Sequence, residues 1–258
     1  MNSTARLTQE RSQQVHNLGH TRSIRKPSHL LHTPDAFIRT QIPGSEKTAV
    51  IVHVSPALGA AFTQYTAEFE PGGTLGDAIG QRFLYVLDGE IDFALDGSHK
   101  LLSKDGYAYI PEGAKHLCIS PNGARVAVVE KRYTATAREK APASLTGHEP
   151  DIPAQPLMGD PDLLVRSLLP DTFAFDFAVN TMTYRPGAAL SMVEIHVMEH
   201  GLLMLEGGGI YKLDEDWYPV AAGDFIWMAP YCPQWFGALG KTPAKYLIYK
   251  DWNRHPLA

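Results

Sequence analysis

The sequence predicts an all-β protein built from two copies of one unit, on three observations. From about residue 48 onward, short apolar runs of period two or continuous hydrophobicity are broken roughly every 8 to 12 residues by Gly, Pro, Asp or Asn, the spacing of a sandwich or barrel. An ordered series of matches links the two halves at an offset near 118 positions. Helical patterning is scarce, while 44% apolar and 10% aromatic residues supply ample core.

The chain opens with a polar segment, MNSTARLTQERSQQ, that has no apolar stretch of the kind a secretory leader needs. Residues 4–17 carry a weak helical pattern, and residues 1–45 are read as an N-terminal segment. The first unit, 46–133, contains the runs AVIVHV (49–54), FLYVL (83–87), YAYIP (107–111) and ARVAVVEKRY (124–133). Each is short, rich in β-branched or aromatic residues and bounded by turn formers, as strands require. Residues 134–161 are rich in Pro, Ala, Thr and Gly without strand pattern and read as a linker. The second unit, 162–258, begins with PDLLVRSLL, which admits a helical turn, and continues through LLMLEG (202–207) and YLIYK (246–250).

The repeat fixes the correspondence of the units. Gly89 falls on Gly207, Leu95 on Leu213 and His116 on Gln234 at an offset of 118; Pro71-Gly72 falls on Pro186-Gly187 at 115, and Lys131 on Lys250 at 119. Turn positions persist in a duplicated unit because they are set by backbone needs, while strand faces drift.

Composition excludes several classes of function. A net charge of -5 without a basic stripe argues against nucleic acid. No run of about 18 apolar residues exists, so no membrane-spanning helix is expected. Cys118 and Cys232 are too few for a disulfide framework and lack partners at metal-clamp spacing. A soluble cytoplasmic protein acting on a small molecule is the expectation.

The second unit places Glu194, His196 and His200 between Pro186-Gly187 and Gly207. On a strand, Glu194 and His196 project from one face, and His200 comes back on the paired strand after a turn at Met198-Glu199. Gln234 lies on a later strand. Two imidazoles, a carboxylate and an amide oxygen form a mixed nitrogen and oxygen set suited to a divalent first-row cation, and the absence of thiolates argues against a structural zinc clamp. A lone strand histidine is most often a satisfied core or surface residue. The repeat decides against that here, because Glu194, His196 and His200 correspond to Gly76, Ala78 and Arg82. The first copy keeps the turn framework and lacks all three ligand types, which leaves His116 without partners and structural. Tyr246 and Lys250, four apart on a strand, share a face.

These residues carry a resemblance. P-x-G-x-x-H from Pro111 to His116 and G-x6-E-x-H-x3-H-x6-G from Gly187 to Gly207 resemble the two cupin motifs, and the chain resembles a bicupin, with two tandem double-stranded β-helix (jelly-roll) barrels. More narrowly, E-x-H-x3-H-G with a downstream glutamine, followed by Tyr246, Lys250, Asp251, Asn253 and Arg254, is similar to the (S)-ureidoglycine aminohydrolase family of glyoxylate-induced, allantoin-pathway proteins. LLHTPDAFIRTQIPG (30–44) resembles that family's opening segment, so the likeness spans roughly residues 20 to 256. It implies manganese, or another divalent first-row metal, on Glu194, His196, His200 and Gln234, and an N-terminal cupin without metal. It implies pocket roles for Tyr211, Tyr246 and Lys250, with Glu194, Lys250 and Tyr246 as the catalytic candidates. The implied reaction is release of ammonia from (S)-ureidoglycine to give (S)-ureidoglycolate in purine (allantoin) catabolism, by a C–N hydrolase of ureide-type substrates.

Met192, Met204, Trp227 and Trp235 are expected to make the pocket bulky and apolar; all four tryptophans lie in the second half. A homo-oligomer is expected. Two other readings stay open: another metal-dependent cupin enzyme such as a dioxygenase of a small organic acid, and a non-catalytic ligand-binding bicupin, which the neutral amide of Gln234 favours.

Overall fold

The computed structural model describes residues 20–95 and 97–254, and strands dominate them. The helical reading of residues 4–17 lies outside the described residues. Among the described residues, no helix is long and apolar enough to cross a membrane.

A short hairpin, β1 (Ile24–Arg25) and β2 (His29–His32), precedes the first barrel. That barrel runs through β3 (Glu46–Val54), β4 (Thr63–Leu75), β5 (Gln81–Leu95), β6 (Ser98–Ser103), β7 (Gly106–Ile110), β8 (His116–Ser120) and β9 (Ala124–Lys131). Two short strands follow, β10 (Leu145–His148) and β11 (Gln155–Leu157). The second barrel comprises β12 (Asp160–Ser167), β13 (Phe177–Tyr184), β14 (His200–Glu206), β15 (Gly208–Leu213), β16 (Asp216–Ala221), β17 (Phe225–Met228), β18 (Gln234–Ala238) and β19 (Ala244–Asp251). The long sheet of the second barrel has the order β1-β2-β17-β14-β19-β13-β12-β11, and β16-β15-β18 form its smaller partner. This is a bicupin of two jelly-roll barrels, as the sequence predicts.

Two segments depart from their sequence reading. PDLLVRSLL forms β12, not a helical turn: it pairs with β13 from Leu163↔Tyr184 to Ser167↔Asn180, and Leu163 is buried. The stretch 134–161 contains β10, which pairs with β7 from Leu145↔Tyr109 to His148↔Gly106. Its sequence, LTGH, lacks alternating apolar residues because all four are only half-buried. Backbone pairing at a sheet edge, more than side-chain packing, holds it. Glu149 follows, buried with 2% exposure, and accepts hydrogen bonds from Tyr85, from Thr181 Oγ1 at 2.9 Å and from Lys245 Nζ at 2.6 Å. It ties the connecting segment to both barrels.

The N-terminal hairpin serves the distant barrel. β2 pairs with β17 from His32↔Phe225 to His29↔Met228, and Arg22 grips the fully buried Asp224 with two nitrogens, at 2.8 and 2.7 Å. Each barrel therefore has the corresponding edge strand, β7 or β17, extended by a segment from outside it.

Strand parity sorts the side chains among three cores. On β5, Leu84 and Val86 fill the first barrel while Phe83 and Tyr85 face the second. On β19, Tyr246 and Ile248 fill the second barrel while Leu247 and Tyr249 face the first. The shared core is rich in rings, including Phe62 stacked on Tyr249 at 4.0 Å and Tyr109 edge-on to Phe175 at 5.1 Å. Full burial of each such side chain contributes about 1.5–3 kcal/mol, so the barrels are expected to unfold together.

His53 lies in this frame with 2% exposure, stacked on Phe225 at 4.9 Å and bonded through Nε2 to Thr66 Oγ1 at 2.8 Å. Burial, reinforced by His32 and Arg125, lowers its pKa to about 3. The folded protein keeps His53 neutral, whereas the unfolded chain takes up a proton below about pH 6.5. This contribution is thus complete above pH 6.5 and is lost as pH falls toward 3. Urea unfolding at pH 7 and pH 5 is expected to differ by about 2 kcal/mol from this group alone, and His53→Gln is expected to shrink the difference.

Candidate metal and active site

Glu194 lies in the loop between β13 and β14, pinned to β18 by a single antiparallel bridge: its N–H donates to Gln234 O at 2.8 Å and accepts in return from Gln234 N at 2.9 Å through its carbonyl. The strand expected over Glu194–His196 is absent. Met192, Val193 and Ile195 are exposed, so this segment has no second apolar face to bury in a sheet. The bridge nevertheless sets Glu194 and Gln234 opposite each other, and cross-strand partners share a face. The carbonyl of His196 accepts the N–H of Tyr231 at 2.7 Å. Tyr231 holds φ at 64°, a conformation that costs a tyrosine about 1–2 kcal/mol, and this left-handed turn aims its N–H at the loop.

His200 begins β14 and is flanked in register by Met228 on β17 and Lys250 on β19. The structure therefore brings Glu194, His196, His200, Gln234 and Lys250 to one end of the second barrel. His196 and His200 have ring centroids 5.2 Å apart. Burial, aided by His196 and Lys250, lowers the pKa of His200 to about 3, so its ring is neutral and keeps the lone pair that coordination needs.

Burial also lowers the Lys250 pKa, against the opposing pull of Asp171 and Glu194, and its Nζ sits 4.3 Å from the Trp252 ring centroid. Below lies a tyrosine cluster. Tyr246 OH and Tyr184 OH are 2.7 Å apart, and Tyr211 OH donates to Gln234 Oε1 at 3.4 Å. Burial pushes all three phenols well up, with the Glu194 carboxylate adding to the shift. They are hydrogen-bond donors, not bases.

Among the described residues, no three His, Cys, Asp or Glu side chains close into a ready cation cage. Nε2 of His196 lies 3.1 Å from Oε2 of Glu194, so these two donors satisfy each other. In composition the set still fits a divalent first-row cation: one carboxylate, two imidazoles of which one is buried and neutral, and an amide oxygen.

The first barrel shows what occupies the equivalent place. Strand pairing sets Arg82 opposite Glu130 on β9 and Ile110 on β7, as His200 is set opposite Lys250 and Met228. The position matching Lys250 is therefore Glu130, at an offset of 120, and the sequence alignment of Lys131 with Lys250 is one residue out. Arg82, 1% exposed, bonds Glu130 Oε1 at 2.7 Å, Gly76 O at 2.8 Å and His116 Nε2 at 2.7 Å. His116 is not partnerless: burial lowers its pKa, and the neutral ring accepts from Arg82 while its Nδ1–H donates to Ala114 O at 3.1 Å. The first barrel carries a guanidinium as its own internal cation.

Two expected pocket residues lie elsewhere. Trp227 faces the shared inter-barrel core and donates to Glu199 at 2.9 Å, because it has the parity opposite to Met228. Trp235 alternates with Gln234, donates to Leu190 O at 2.7 Å and packs edge-on to Trp217 at 5.7 Å. Of the methionines, Met204 is buried inside the barrel and Met192 is 57% exposed. Sequence reasoning missed Tyr184. The signal was available: the repeat sets Tyr184 against Phe69 and Tyr211 against Phe93, so the copy with the ligands gains two phenol hydroxyls.

A family model described as Cupin domain matches residues 180–249. The chain is 40% identical over 93% of its length to a probable (S)-ureidoglycine aminohydrolase of Oryza sativa subsp. japonica, covering 78% of that protein. It is 38% identical over 93% of its length to (S)-ureidoglycine aminohydrolase of Arabidopsis thaliana, covering 80% of it. The crystal structure of protein Ylba from E. coli superposes with a TM-score of 0.81 at 29% identity, covering 93% of this chain and 97% of that one.

Removing the guanidinium of the first barrel strands a buried carboxylate. Arg82→Ala is expected to destabilise the protein by about 3–5 kcal/mol in urea unfolding, and Arg82→Met combined with Glu130→Leu to recover most of that loss.

Proposed function

The chain belongs to the (S)-ureidoglycine aminohydrolase family of cupins, and from that premise we propose that it releases ammonia from (S)-ureidoglycine to give (S)-ureidoglycolate. One observation supports this reading above the others. Glu194, His196, His200, Gln234 and Lys250 gather at one end of the second barrel, where the first barrel has Arg82 bonded to Glu130 and His116.

A manganese ion, or another divalent first-row cation, held by Glu194, His196, His200 and Gln234 would supply a Lewis acid and a template for a carboxylate and an amine. The chain's own residues perform the remaining work. The Lys250 ammonium, lowered in pKa by burial, is suited to pass a proton to the departing amine. As the C–N bond breaks, the ureido nitrogen's lone pair moves toward the carbon. Water then adds at that carbon and its proton returns to Lys250, so the sum is ureidoglycine plus water to ureidoglycolate plus ammonia. General acid–base transfer of this kind contributes about 10²–10⁴-fold. Tyr211 donates to Gln234 and thereby orients its amide. Tyr184 and Tyr246 bond each other in the buried interior beneath, closing that side of the site.

Glu194→Ala and His200→Ala are expected to remove both bound metal and ammonia release, by more than about 100-fold, with an unchanged circular dichroism spectrum. Lys250→Met is expected to keep the metal and lose at least about 100-fold in kcat. His116→Ala is expected to leave metal stoichiometry unchanged. Metal analysis of each purified variant alongside an ammonia assay on freshly made ureidoglycine checks all four; full activity in a metal-free preparation would refute the proposal.

A further inference from the structure

A cavity of about 980 Å³ adjoins the candidate site without containing any of its ligands. Its walls are the loops that carry those ligands. Val197 and Met198 follow His196; Asp251 and Trp252 follow Lys250; Tyr231 is bonded through its N–H to the His196 carbonyl. The remaining wall is residues 134–138 of the inter-barrel segment. Arg254 fastens that wall, donating to Thr134 O at 2.8 Å and to Phe173 O at 3.0 Å.

The charged residues that line the cavity are Asp251, Arg138 and Arg254. Its carboxylate, Asp251, lies 2.9 Å from Lys131, an ammonium it shares with the buried Asp176 at 3.4 Å, and accepts from the Tyr249 hydroxyl at 2.7 Å, while Asp171 behind the wall accepts from Trp252 Nε1 at 2.6 Å. Arg254 donates to the backbone carbonyls of Thr134, Phe173 and Asn253 and to the Tyr133 hydroxyl. Arg138, exposed at the rim, stacks its guanidinium over the Phe173 ring at 5.4 Å and has no carboxylate partner among the described residues. An aromatic face holds the plane of a guanidinium while leaving its N–H fork open, and that fork matches a carboxylate. On a chain of net charge -5, an exposed rim guanidinium without a carboxylate partner among the described residues is a local point of attraction for small anions.

We propose that this cavity is the antechamber of the active site and that Arg138 captures the substrate's carboxylate there before it passes to the ligands. The inference rests on the function proposed above and deepens it: it assigns a specificity residue, for small carboxylates, to the segment between the barrels. At about 980 Å³ the space greatly exceeds a substrate the size of ureidoglycine, which fits transit better than tight enclosure.

The test is steady-state kinetics of the metal-loaded enzyme on ureidoglycine at several ionic strengths. Arg138→Gln is expected to raise KM about 10-fold with kcat changed less than about 2-fold, and to flatten the fall of kcat/KM with salt. Arg138→Glu is expected to be worse on both counts, and Arg138→Lys to restore most of the salt dependence. Wild-type kcat/KM and salt dependence in both Arg138→Gln and Arg138→Glu would overturn the assignment. A wild-type enzyme that releases no ammonia refutes the function instead. In that case, calorimetric titration with hydantoate, which carries a carboxylate and a ureido group without the amine, decides: weaker binding to Arg138→Glu than to wild type supports the anion site, and equal binding overturns it.

Discussion

The apolar contact between the barrels is the constraint from which the rest of the arrangement follows. Each barrel turns toward the other a sheet face lined with rings, so strands such as β5 and β19 are buried on both sides. Parity then leaves little choice. Once Leu247 and Tyr249 are committed to the shared core, Tyr246, Ile248 and Lys250 must enter the second barrel. The same rule turns His200 inward and Gly201 outward, and Gly201 is needed there. A side chain at that position would strike Gln64 and Phe62 of the other barrel. Inter-barrel packing thus orients the candidate site, to which the first barrel contributes none of the proposed ligands.

The two copies solve one electrostatic problem in different ways. Polar groups at the end of an apolar barrel interior must be hydrogen-bonded to one another or paired with a charge. In the first barrel Arg82 is that charge, with a carboxylate, an imidazole and a backbone carbonyl around it. In the second the corresponding position is a neutral imidazole, and the surrounding residues are those proposed above to hold a cation. The sign of the partner on the last strand is reversed to match, Glu130 beside Arg82 and Lys250 beside His200. A fixed guanidinium gives stability and nothing exchangeable; the proposed donor set of the second barrel leaves room for an exchangeable cation.

Much of this was legible in the sequence, because turns and alternation are local. The long strands, the duplication and the asymmetry of Glu194, His196, His200 and Gln234 between the copies all follow from patterns within or between short segments. What was not legible depends on partners far away in the chain. LTGH pairs as a strand only because the edge of β7 is waiting for it. Leu163 and its neighbours pattern equally well for a helix, and pairing with β13 decides the matter. The sequence neighbourhood of Trp227 points to the pocket, yet its face belongs to the core shared between the barrels. The offset of 120 at the last strand, against 118 up to β8 and β18, arises from two extra residues in the single turn before β19, 239–243 against 121–123 before β9.

The hairpin of β1 and β2 carries a consequence for the order in which the molecule is made. Its partner strand, β17, begins at Phe225, so a ribosome adding about 5–20 residues per second delivers that partner roughly 10–40 s after the hairpin. Two such short strands are marginal alone in water, whereas the first barrel can collapse in the interval around its own neighbours. Residues synthesised early are therefore among the last to be locked down. Until then the nascent chain trails an unpaired sheet edge, the kind of surface through which neighbouring chains on a polysome entangle.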